Sequence, residues 1–346
     1  MNGVPDEVLF EQRGALGLIT LNRPKALNAL TESMCIAIEA QLVRWRDDAS
    51  VKAVVIRGTG DRAFCAGGDI RALYTAGRAA ATNMTDFYRH EYRMNARIKH
   101  FPKPYIALLH GIVMGGGVGV SIHGSHRLVD ASALFAMPET GIGLFPDVGG
   151  SFFLSRLPGE IGMYLALTGS RLKAPDMLYS GIATHSVLAA HWEMLIDRLA
   201  AGDAPEAALA GLTNEADLPD LPEILEPIDR CFAHGSVEAI LAALDEDDIA
   251  WGPIAATTIR TKSPISLKVT FRQLRDGRSL SFDDCLRMEF RMVNRVMAGH
   301  DFFEGVRAAI IDKDNEPAWS PETLPEVSEP AVDAYFAPLG EKELQL

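Results

Sequence analysis

Twice in its first third the chain follows a short apolar run with a cluster of glycines. Residues 51–57 precede Ala66-Gly67-Gly68, and residues 105–109 lead into Gly115-Gly116-Gly117. The apolar runs are short enough to be buried strands, and helical stretches alternate with them. Residues 8–10 and 16–21 read as a hairpin turning near Arg13-Gly14, and Asn22-Arg23-Pro24 ends its second strand. Thr31 is placed to cap a helix whose apolar residues Met34, Ile38, Leu42 and Trp45 recur at helical spacing. Asp69 is placed to cap a short helix after the first glycine cluster, and residues 82–101 read as a further helix stopped by Pro102 and Pro104. Residues 127–129 and 134–136 read as strands. From about residue 157 the pattern turns mainly helical, with surface connections over 203–227 and a helical part over 251–311. Alternating strands and helices followed by helices alone imply a mixed α/β core with a helical C-terminal region, and no repeat of fixed period interrupts that pattern.

With 346 residues, 48% hydrophobic and 23% charged, the chain can bury one large core or a core with an appendage. The formal net charge of −13 argues against a nucleic-acid partner and against an anionic membrane surface. It leaves room for an anionic small ligand, because backbone N–H groups and a few local cations can hold phosphates on an acidic protein. Cys35, Cys65, Cys231 and Cys285 fit neither a zinc spacing nor a disulfide framework and read as free, buried thiols. Residues 1–14 are acidic and show neither the order of a signal peptide nor the Arg- and Ser-rich character of a transit peptide, so a cytoplasmic protein is the expectation.

Glycine clusters serve either tight turns or sites where backbone N–H groups must reach a ligand, as in an oxyanion hole. A dinucleotide loop is disfavoured because G-x-G-x-x-G is absent at both clusters, and Ser121 lacks the second glycine of a serine-hydrolase elbow. Residues 137–150, Met-Pro-Glu-Thr-Gly-Ile-Gly-Leu-Phe-Pro-Asp-Val-Gly-Gly, set Glu139 and Asp147 in apolar, glycine-rich surroundings. Burial and mutual repulsion split the pKa values of such a pair into acid and base roles; the alternative is that each caps a turn. Glu91 falls on the apolar stripe of Met84, Phe87, Tyr88, Met94 and Ile98, which demands either a polar cavity or an ion pair with Arg93 or Arg97. His123 and His126 lack a third ligand in sequence, so no metal site is expected.

Taken together, Leu18 to Pro24, Phe64-Cys65-Ala66-Gly67-Gly68-Asp69-Ile70 and His110 to Gly117 resemble the crotonase (enoyl-CoA hydratase/isomerase) superfamily. Within it, residues 137–150, Lys262-Ser263-Pro264 and Asp301 to Arg307 are similar to the branch that hydrolyses 3-hydroxyacyl-CoA thioesters. The resemblance covers most of the chain and is weakest between about residues 191 and 250. It implies a spiral core of ββα units followed by C-terminal helices; the change of pattern near residue 190 divides the chain into a core over 1–190, a helical connection over 191–250 and a C-terminal helical region over 251–346. It implies that the N–H groups of Gly68 and Gly116 form the oxyanion hole, that Glu139 and Asp147 are the catalytic acids and that Glu91 touches substrate. Lys25, Ala66, Asp69 and Ile70 would line the CoA portion. CoA would be part of the substrate, so no separate cofactor is expected, and the resemblance admits a homo-oligomer. One departure bears on the reaction. Hydratases of the superfamily carry a glutamate three positions after the second oxyanion glycine, and here that position is Gly119. The expected activity is therefore hydrolysis of a small 3-hydroxyacyl-CoA, best matched by 3-hydroxyisobutyryl-CoA; the alternatives are a hydratase or isomerase on the same fold and an inactive CoA-binding scaffold.

Overall fold

The computed structural model describes residues 7–78 and 84–346. The chain forms two compact units: Met1–Gly68, His90–Phe135 and Leu172–Pro219 make the first, and Asp69–Arg89, Ala136–Arg171 and Asp220–Leu346 the second.

The first unit is built on two sheets. Strands β1 (Val8–Arg13), β2 (Leu16–Leu21), β3 (Ala53–Gly58), β4 (Ala63–Cys65), β5 (Tyr105–Leu109), β6 (Ile112–Met114), β7 (His126–Val129), β8 (Leu134–Ala136), β9 (Leu172–Lys173) and β10 (His185–Ser186) divide between them. The larger sheet has the order β1-β2-β3-β5-β7-β10 and the smaller β4-β6-β8-β9. Three successive pairs, β3/β4, β5/β6 and β7/β8, each lay one strand in the larger sheet and the next in the smaller. That repetition is the spiral of ββα units that the family resemblance implies. The expected hairpin is present, with Val8 opposite Leu21 and Arg13 opposite Leu16. From β2 to β10 the larger sheet is parallel, and β2 is buried at every residue, as befits a strand covered on both faces.

Helix α1 (Glu32–Asp47) begins where Thr31 accepts a hydrogen bond from Met34 N–H at 3.3 Å, and Met34, Cys35, Ile38, Leu42 and Trp45 form its buried face. Leu16, Leu18, Val55, Ile106, Leu108 and Leu128 pack with Leu195, Ile196 and Leu199 into one apolar cluster. Each such fully buried side chain contributes about 1.5–3 kcal/mol relative to an exposed one.

The second unit is mainly helical. Helix α2 (Ile70–Arg78) starts behind Asp69, whose carboxylate accepts from Ala72 N–H at 3.1 Å, so the expected cap is formed. Helix α3 (Asp86–Lys99), of which residues 90–99 belong to the first unit, is shorter than the expected 82–101; residues 82 and 83 lie outside the described residues. The helical stretch read over 251–311 is interrupted: Trp251–Arg260, Pro264–Gly277, Phe282–Val296 and Asp301–Val306 are separate helices. Ser263 and Ser281 start the second and third of these by accepting from Ser266 N–H and Asp284 N–H. The short strands β4, β6, β9 and β10 were not expected from periodicity, because two or three residues are too few to show alternation. All four cysteines are buried and unbridged. Among the described residues, no helix is long and apolar enough to cross a membrane.

Candidate functional site

In the first unit, β4 and β6 are parallel neighbours, so the glycine clusters that follow them leave the sheet at the same end. Helix α4 (Gly116–Gly119) starts directly after Gly115, which takes φ +49°. Its opening N–H groups have no acceptor within the helix. A Cβ built on Gly116 would lie 3.3 Å from the Gly68 nitrogen, 3.0 Å from Leu30 Cδ1 and 2.4 Å from a Glu91 carboxylate oxygen. Glycine is thus required at 116 by close approach, and the two proposed oxyanion residues face one small volume together with Glu91. Gly117 is as tightly held, 2.2 Å from Cys65 O at its own Cβ position.

Backbone bonds from Ala66 N–H to Leu27 O (3.0 Å) and from Leu30 N–H to Gly67 O (2.8 Å) tie the first glycine cluster to the loop before α1. Asn28, fully buried at φ +56°, pins that loop: its amide donates to Thr59 O and Ala63 O, both at 2.9 Å, and it accepts from Arg23 N–H. Lys25 projects from this loop, exposed, and Ala66, Asp69 and Ile70 are half-buried.

Glu91 is 2% exposed on α3. Arg93 and Arg97, named from sequence as ion-pair candidates for Glu91, both reach Glu39, at 3.2 and 3.5 Å. Burial pushes the thiols of Cys35 and Cys65 up, and the charge of Glu91 adds to both.

In the second unit, Glu139 opens a single 3-10 turn, Glu139–Ile142, whose cap position is held by Pro138. Its carboxyl is buried, and among the described residues its Oε2 has no hydrogen-bond partner. Burial pushes the Glu139 carboxyl well above the ordinary carboxylate range, and the charge of Asp147 pushes it the same way. Glu139 is thus a desolvated acid under the charge of a second one. Asp147 is 4% exposed.

The residue after Asp147 is strained. Val148 takes φ +51°, a left-handed conformation that costs a β-branched residue about 1–3 kcal/mol. Gly149 follows at φ +86° and leads into helix α5 (Gly150–Phe153). Two buried side chains brace this turn. Glu289 accepts from Gly149 N–H (2.8 Å), Ser151 N–H (2.9 Å) and Ser151 Oγ (2.6 Å), and Gln273 Nε2 donates to Pro146 O (2.6 Å) and Ser151 Oγ (2.8 Å). Burial pushes Glu289 up to about 8, against the pull of its three hydrogen bonds. Neither residue was singled out from sequence, although a signal exists: Glu289 lies on the stripe of Cys285, Leu286, Val293 and Val296, the oddity that marked Glu91. Among the described residues, no group of histidine, cysteine and carboxylate side chains is arranged to hold a metal ion.

A family model for enoyl-CoA hydratase/isomerase matches residues 16–336. A 3-hydroxyisobutyryl-CoA hydrolase of Danio rerio, named as mitochondrial, is 49% identical over 98% of this chain and 92% of its own. Two solved structures superpose closely. A carnitinyl-CoA dehydratase from Mycobacterium thermoresistibile has a TM-score of 0.93 and 42% identity, covering 98% of both chains. An enoyl-CoA hydratase from Rhodobacter sphaeroides has a TM-score of 0.92 and 42% identity over 98% of this chain and 100% of its own. The paired β4/β6 glycine loops, the alternating two-sheet spiral and the near-complete match agree, and the chain belongs to the crotonase (enoyl-CoA hydratase/isomerase) family, most like its 3-hydroxyisobutyryl-CoA hydrolases.

Proposed function

We propose that this chain is an acyl-CoA thioester hydrolase that cleaves 3-hydroxyisobutyryl-CoA to 3-hydroxyisobutyrate and free CoA, a step of valine breakdown. The observation that carries the choice of reaction is Gly119: it is buried within α4 and offers no carboxylate where the hydratase pattern needs one. Hydration holds one water against a double bond with two acids; thioester cleavage can use the buried pair Glu139 and Asp147 instead. The relative named as a hydrolase supports the same reading.

In this reading the N–H groups of Gly68 and Gly116 donate to the thioester oxygen as negative charge develops on it. Glu139 either attacks the carbonyl carbon, expelling CoA thiolate and leaving a mixed anhydride that water opens, or removes a proton from the attacking water. Both routes consume one water and release one acid and one thiol. Asp147 binds the substrate hydroxyl or assists proton transfer, Glu91 makes a further polar contact, and Lys25, Ala66, Asp69 and Ile70 contact the CoA portion. CoA leaves as product, so this chemistry calls for no resident cofactor. A pocket separates substrates differing by one methyl group by only about 1–3 kcal/mol, so 3-hydroxypropionyl-CoA is the expected second substrate.

The names of the two superposing structures favour a second reading, hydration of an enoyl-CoA. Trapping of free thiol with 3-hydroxyisobutyryl-CoA and with crotonyl-CoA separates the two. The hydrolase reading expects thiol from the first; loss of double-bond absorbance from crotonyl-CoA without thiol from either would establish the second. Binding without any turnover would identify a scaffold. The cytoplasmic location expected from sequence is likewise a proposal, set against relatives named as mitochondrial, and cell fractionation decides it.

A pH dependence follows from the acid pair. Glu139 must be ionised to act as nucleophile or base, and burial with the Asp147 charge holds it well above the ordinary range. The kcat/KM profile should therefore rise with pH along a limb displaced above the usual carboxylate values. Removing the charge with Asp147→Asn lowers the activity but moves that limb to lower pH. A limb at the same pH in both proteins would contradict the coupling.

A further inference from the structure

We infer that Glu289 is a positioning residue that holds the Asp147 turn in its reactive shape, an inference resting on the role proposed for Asp147. The turn at residues 147–149 places Val148 and Gly149 both at positive φ, φ +51° and +86°, a shape that a valine does not keep without outside support. That support comes from elements far along the chain. Glu289, fully buried on Phe282–Val296, receives hydrogen bonds from both N–H groups that flank Gly150 and from the Ser151 hydroxyl. Gln273, fully buried on Pro264–Gly277, holds the other end through Pro146 O and closes the circuit on the same hydroxyl. Helix Pro264–Gly277 approaches so closely that a Cβ on Gly277 would lie 2.5 Å from Ser151 O, leaving the segment no room to drift.

A carboxylate is the group this geometry calls for. All three of its partners can donate, and a carboxylate can accept from all of them with two oxygens. An amide in its place accepts with one oxygen and turns N–H groups toward an N–H donor. Glu289→Gln is thus nearly isosteric yet breaks one side of the clamp, releasing the turn and Asp147 with it. A displacement of about 1 Å at a reacting group can cost about 100-fold in rate.

The test compares Glu289→Gln, Asp147→Asn and the double variant in thiol release from 3-hydroxyisobutyryl-CoA. In the wild-type background Glu289→Gln should lower kcat by about 10- to 100-fold with KM little changed. If Glu289 acts through Asp147, the same substitution in the Asp147→Asn background should cost less than about threefold, because the two effects share one route. An equal loss in both backgrounds overturns the proposal, as does a loss expressed in KM alone. Should Glu289→Gln fail to fold, Ser151→Ala removes two bonds of the clamp, the one to Glu289 and the one from Gln273, and is held to the same non-additivity. Hydrogen exchange at the Gly149 and Ser151 amides gives an arm independent of turnover: exchange should quicken in either variant, and unchanged exchange overturns the clamp. Wild-type protein that releases no thiol would defeat the hydrolase reading and leave this inference to be judged by exchange.

Discussion

Glu139→Gln is expected to abolish most thioester cleavage, lowering kcat on the order of 10²–10⁴-fold, the range contributed by a positioned acid–base group. Glu139 is 5% exposed, its Oε2 has no partner among the described residues, and both desolvation and Asp147 oppose its ionisation. A purely structural site would not keep such a group, since a neutral amide of the same size fits without the electrostatic penalty. The sign of the stability effect makes the point testable. A carboxyl whose folded pKa is raised contributes stability that is complete below its unfolded pKa and is lost as pH rises through the folded one. Glu139→Gln should therefore melt no lower than wild type, and higher on the alkaline side, while losing turnover. Thermal melts at pH 5 and pH 9 alongside the thiol assay check both halves. A variant that keeps activity within about threefold would remove Glu139 from the mechanism and spare the fold.

Gly116→Ala should cost about 10²–10³-fold in kcat, the usual loss when one oxyanion donor is disabled. The added methyl would stand 3.3 Å from the Gly68 nitrogen, in the volume both amides face, and 2.4 Å from the Glu91 oxygen. Glu91, a side-chain terminus, can swing aside; the Gly68 backbone cannot. Substrate therefore loses its oxygen site and a polar contact together, with KM rising less than kcat falls. Gly117→Ala provides the contrast. Its methyl would meet Cys65 O at 2.2 Å, backbone against backbone, so that substitution should appear first as lost folding. Comparing circular dichroism and turnover for the two variants separates a site defect from a packing defect. Turnover of Gly116→Ala within about threefold of wild type would contradict the oxyanion assignment.

Much of this arrangement is legible in the chain because its signals are local. Thr31 and Asp69 cap their helices, the hairpin has its expected strands, and Glu91 betrays itself by standing on an apolar stripe. The same test applied to Phe282–Val296 would have marked Glu289, and applied to Pro264–Gly277 would have marked Gln273, which shares a face with Val269 and Gly277. Other features had no local mark. Apart from residues 134–136, the strands of the smaller sheet are too short to show a pattern, and the pairing of Glu39 with Arg93 and Arg97 spans more than 50 positions.

The two glycine clusters show where the division falls. The sequence by itself determined that a glycine cluster would follow each of two short apolar strands, that Glu139 and Asp147 would share an apolar loop and that position 119 would lack a carboxylate. These are properties of residue type and near spacing, which periodicity and turn chemistry report directly. Only the tertiary structure decided that the clusters meet, because β4 and β6 pair in parallel across nearly 50 residues, setting Gly68 against Gly116. It alone decided that the Asp147 turn is strained and braced by side chains more than 100 positions away. A sequence records which groups a chain owns; distances between groups far apart along it are set by how strands pair and helices pack.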